Sequence, residues 1–128
     1  MYTTTTQLLT IAAVMVAMDA VWLTARGAAS RTMIAALQGS PLKVRWPPAA
    51  IVYVLMIAGL WYFAVREAKD WADAAKRGAA LGAVVYGVYD FTNYAILSRW
   101  ELPYALADWV WGTVLFAVTA GAATLIAS

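Results

Sequence analysis

Three aspartates, Asp19, Asp90 and Asp108, stand within stretches otherwise apolar enough to cross a bilayer. A charged side chain at the centre of a membrane helix costs about 3 kcal/mol on insertion scales, so such residues face protein or water and mark ion paths, proton relays or charged partners. Tyr86 lies one helical turn before Asp90, and Asn93 about one turn after it. With Gly82 they share a helix face by the i, i+4, i+8, i+11 rule. The other two acids are each followed at i+3 by a tryptophan, Trp22 after Asp19 and Trp111 after Asp108. Carboxylates with a phenol and an amide can relay protons, hold a cation through oxygen ligands, or pair with a basic partner.

What the chain lacks narrows the chemistry further. It has no histidine and no cysteine, which removes imidazole bases, thiolate nucleophiles, disulfides, and the usual zinc, haem and iron–sulfur ligand sets. No cofactor is implied. A metal, if one is held, is a hard ion such as Mg²⁺ on oxygen ligands.

The elements that must position these residues follow from hydropathy. Of the 128 residues, 64% are hydrophobic and 12% charged, and the mean hydropathy is +0.70. A soluble domain has about 45–50% apolar and about 25% charged residues. The chain therefore reads as a single-domain, all-α integral membrane protein: four transmembrane helices in an antiparallel bundle. The net charge of +2 sits on basic residues that flank the apolar segments without forming a stripe. The expected partner is thus the lipid bilayer, not nucleic acid.

The spans are expected at about residues 8–25, 48–66, 78–97 and 103–127, with both termini on one side. The first could be mistaken for a signal peptide, but it lacks a basic leader and Asp19 interrupts it. In the loop that follows, SRTMIAALQG reads as a short interfacial helix with Ser30 as N-cap and Gly39 as terminator. Pro47 and Pro48 open the second span. Asp70 and Asp73 mark the start of the third helix near Trp71. That helix carries the small-residue pair of G-A-A-L-G, which permits close helix contact. The SRWEL loop is short enough to make the last two helices a tight hairpin. Basic residues lean the first and third loops toward the cytoplasm, five (26, 31, 43, 45, 99) against four (66, 69, 76, 77).

Depth ties the acids together. At about 1.5 Å per residue, Asp19 and Asp90 lie roughly 4–5 Å past the middle of their spans, and Asp108 roughly 9 Å from the middle of its own. All three are displaced toward the leaflet that bears the first and third loops. A pocket lined by Asp19, Tyr86, Asp90, Asn93 and Asp108, with Trp22 and Trp111, follows if the faces converge. Each residue also has a structural use. Asp19 could pair with Arg26, Asp108 could cap the fourth helix or pair with Arg99, and the tryptophans could form an interfacial belt. The string D-x-V-W-x-T occurs twice, from Asp19 and from Asp108, as a local similarity.

The elements Asp19-x-x-Trp22-Leu23, Tyr89-Asp90-x-Thr92-Asn93-x-Ala95, Trp100 and Asp108-x-x-Trp111-Gly112 resemble a family of small bacterial membrane proteins, domain of unknown function 2177. Ile96 and Glu101 depart from the threonine and proline usual there. The resemblance spans nearly the whole chain and implies four spans in a bacterial inner membrane. It brings no activity with it. The leading functional expectation is proton- or cation-coupled transport or conduction by a homo-oligomer, the cluster being the ion pathway. The alternatives are a non-catalytic subunit beside another membrane protein, and a Mg-dependent enzyme acting on lipid or isoprenoid phosphates.

Overall fold

The computed structural model describes residues 2–127. Four helices follow in order: α1 (Tyr2–Gln38), α2 (Trp46–Leu60), α3 (Trp71–Ile96) and α4 (Leu102–Ala127). Three stretches, Thr3–Gln38, Trp46–Val65 and Leu102–Ala127, are long and apolar enough to cross a membrane. The protein is an all-α, membrane-type bundle, as its composition requires.

One element differs from expectation. The loop expected over residues 26–46 is largely helical, but as the continuation of α1, which runs unbroken for 37 residues. Between Ala25 and Gln38 there is no proline, and Gly27 alone does not end a helix. The chain turns only at Gly39, at φ +71°, a conformation that glycine adopts at no steric cost. At about 1.5 Å per residue α1 is about 55 Å long, well beyond a hydrocarbon core of about 30 Å. Its last turns fold over the α3–α4 connection, where Met33 packs with Trp100 and Ala105.

α2 continues past Leu60 as one π-helical turn, Trp61–Val65, closed by the Arg66 N–H donating to the Trp61 carbonyl at 2.9 Å. The inserted residue lets Leu60, Ala64 and Val65 all face inward. The Trp61 ring N–H donates to Gln7 Oε1 at 3.0 Å and ties this end to the start of α1. The other half of α2 stands away from α3 and α4.

α3 begins at Trp71, as its acids predict. Asp70 caps the helix, its Oδ1 accepting from the Asp73 N–H at 2.8 Å, and Asp73 Oδ2 accepts from the Lys69 N–H just before the cap at 3.0 Å. The bond from Lys69 chiefly, and Arg77 beside it, hold the Asp73 carboxyl below its ordinary value of 3.8. A lowered folded-state pKa contributes stability above the unfolded value and loses it as pH falls through the lowered one. Asp73→Asn should therefore reduce the melting temperature at neutral pH. The gap to the wild type should close in acid, which melts in detergent at several pH values will test.

The closest pairing is α3 against α4. A Cβ at Gly78 would overlap the Phe116 carbonyl, and one at Gly82 the Gly112 carbonyl. The G-A-A-L-G pair is thus used within the chain. α4 is the central helix: half of its most apolar window is buried, against 17% for α1 and α2. Ile11, Met15, Leu60, Leu115, Phe116, Ala120 and their neighbours form the main apolar core at one end, and Met33, Trp100 and Ala105 a smaller one at the other. The aspartates lie between the two.

Candidate functional site

Asp19 extends the stripe of Ile11 and Met15 by one more turn of α1, and is only 8% exposed. Two other helices reach it. The Tyr53 hydroxyl on α2 donates to Oδ2 at 2.7 Å, and the Trp111 ring N–H on α4 donates to Oδ1 at 3.1 Å. Donors to a carboxylate make stronger hydrogen bonds than neutral pairs, so Asp19 fastens the near half of α2 to the bundle. Trp111 also stacks on Trp22, with centroids 4.7 Å apart and planes within 7°. The Arg26 guanidinium stands 5.6 Å from the Trp22 ring, within cation–π range. Arg26 thus takes an aromatic partner in place of the ion pair with Asp19 that the sequence allowed.

Asp90 is fully buried. No donor among the described residues bonds to either of its oxygens, and the acid that acts on it electrostatically is Asp108 on α4. Asp108 is 8% exposed and is reached electrostatically by both Asp19 and Arg26. The three carboxyls therefore form a file from Asp19 through Asp108 to the enclosed Asp90. Tyr86 is within electrostatic reach of all three, and its hydroxyl points to Met56 Sδ at 3.9 Å. Asn93 shares the α3 face but lies within hydrogen-bond reach of Tyr89 instead.

The structural uses open to Asp108 are not taken. α4 begins at Leu102, which puts Asp108 inside the helix and past any cap. Arg99 is exposed, and neither ion pair among the described residues includes it.

Asp19 and Asp108 open onto a cleft of about 540 Å³ between α2 and the other three helices. Its walls are aromatic: Trp22, Tyr53, Tyr86, Tyr89, Tyr104 and Trp111, with Leu23, Val52, Leu55 and Val85 among the apolar residues. Trp100 meets Tyr89 and Tyr104 edge to face, at 5.9 and 5.5 Å, and Tyr104 bonds Ser30 at 2.7 Å. Of the sequence candidates, Asp19, Tyr86, Asp108, Trp22 and Trp111 line the cleft, Asp90 lies behind it, and Asn93 stands aside. Sequence reading missed Tyr53, Tyr89 and Tyr104. A phenol in the aliphatic run of α2 was the one sign of Tyr53.

Among the tryptophans expected in a belt, Trp46 is exposed. Trp22, Trp100 and Trp111 pack around the cleft, and the Trp109 ring N–H donates to the Ala83 carbonyl at 2.9 Å. Among the described residues no three acids are grouped so as to hold a metal ion.

Apolar helices enclosing an aromatic-walled, carboxyl-lined cleft define a small helical membrane protein with a built polar site. The chain belongs to the family described as predicted membrane protein, DUF2177, whose family model matches residues 4–125. No curated protein and no solved structure matches it.

Proposed function

We propose that the protein carries protons or small cations across a bacterial inner membrane, or couples them to a second solute. Asp19, Asp108 and Asp90 are the pathway. The observation behind this reading is the Asp90 carboxyl, fully buried without a donor among the described residues and facing a second carboxyl that lines the cleft. Structure alone gains nothing from such a group, because a buried polar atom without a partner is destabilising. A proton passing between Asp108 and Asp90 uses it.

In this reading α3, less apolar than the rest, spans beside α4, making four spans. The cleft reaches the carboxyls, while Ile11, Met15, Leu115 and Phe116 fill the bundle beyond them. Passage then needs either a rearrangement of α2 or a path between copies. Exposed Leu9, Val16, Val54 and Leu55 on α1 and α2 supply apolar faces for an oligomer.

The test is flux in liposomes holding the purified protein, with proton and monovalent-cation gradients applied in turn. Wild-type flux should fall to background in Asp108→Asn. Equal flux in wild type and variant, or none from the wild type under any gradient, would end the transport reading and leave that of a subunit in a larger assembly.

A further inference from the structure

We infer that the cleft is a binding site for an organic cation with aromatic or apolar substituents and a delocalised charge. The inference rests on the transport reading of the same site and names the class of solute.

Size is the first argument. A volume of about 540 Å³ falls within the range of about 300–1,000 Å³ typical of drug-sized ligand sites. Sign is the second. Two carboxyls line the cleft, Asp19 and Asp108, and a third, fully buried and without a protein donor, is aimed at Asp108 from behind. Against three carboxyls stands one nearby guanidinium, that of Arg26. Acidic groups thus outnumber basic ones at the site, which favours a cation over an anion.

Hydrogen bonding selects within the cations. The Tyr53 hydroxyl and Trp111 ring N–H are already committed to Asp19, and the Tyr104 hydroxyl to Ser30. Beside the Tyr89 hydroxyl and the Trp22 ring N–H, what a ligand meets is mostly ring faces and carboxylate lone pairs, a surface that suits a poorly hydrated, delocalised cation. The chain supplies its own example, for the Arg26 guanidinium stands over the outer member of the Trp22–Trp111 stack. A solute entering from the lipid side would meet the exposed Leu23, Val52 and Leu55 first.

The experiment uses tetraphenylphosphonium and tetraphenylborate, ions of nearly the same size and shape and opposite charge. Each is titrated into the full chain in mild detergent, and quenching is read as the part of the seven-tryptophan fluorescence that is lost in a Trp22→Phe, Trp111→Phe variant. The phosphonium should quench saturably and bind at least about tenfold tighter than the borate, the scale of one well-placed charge contact. Asp108→Asn should weaken it about tenfold, and Arg26→Gln should strengthen it several-fold by removing the competing cation. That gain cannot come from misfolding. Non-saturating quenching, equal for both ions as in simple micelle partition, would overturn the inference. So would unchanged affinity in both variants. Saturable phosphonium binding without flux would uphold the cation site and retire transport. Flux that depends on Asp108 without such binding would retire the cation site alone.

Discussion

Asp90→Asn should melt several degrees above the wild type and, on the proposed pathway, should abolish flux. Both effects have one cause. The wild-type carboxyl is fully buried with no protein donor on either oxygen, and burial of an unsatisfied polar group costs about 1–3 kcal/mol. The amide of asparagine nearly matches carboxylic acid in shape and brings N–H donors that can bond Asp108. At the scale expected for a chain of this size, about 1–2 kcal/mol is several degrees in melting temperature. On the proposed pathway the same change removes the exchangeable proton, so flux should fall to background. Circular dichroism melts in detergent, with liposome flux on the same preparations, check the two together. A variant that melted well below the wild type would show that Asp90 holds the fold, and would remove the strongest support for transport.

Gly82→Val should destabilise the bundle by about 3 kcal/mol or more, the upper range for overpacking a tight interior. A Cβ at Gly82 would overlap the carbonyl oxygen of Gly112. That atom is backbone, so a rotamer change cannot clear it, and α3 and α4 must separate. Separation would also draw Asp90 away from Asp108, since Gly82 and Asp90 lie two turns apart on one face. Gly27→Ala is the matched control, because a Cβ there meets nothing within 4 Å. In a helix interior alanine is favoured over glycine by about 1 kcal/mol. The valine variant should thus melt far below the wild type, and the alanine variant at or above it. Equal melting of the two would refute the close α3–α4 contact.

The absence of His and Cys, the apolar stretches and the three acids within them determined the class, because bilayer insertion is decided by local composition. The Asp70–Asp73 cap and the Gly39 stop were legible for a similar reason, since each is a bond or a backbone angle between near neighbours. The continuity of α1 was harder to see. Arg26 and Arg31 read as a membrane edge, whereas helix formation depends on breakers, and none stands there.

Only the tertiary structure decided the partners. Tyr53 and Trp111 meet at Asp19 from 34 and 92 residues away, and no spacing rule reaches that far. Helical periodicity put Asn93 on the face of Asp90, but the amide sits with Tyr89, because a shared face does not fix where a side chain turns. The stack of Trp22 on Trp111 and the choice of Arg26 for a ring over a carboxylate depend equally on how helices cross. Local chemistry named the acids. Packing settled which of them is held by donors and which is left with only another acid to face.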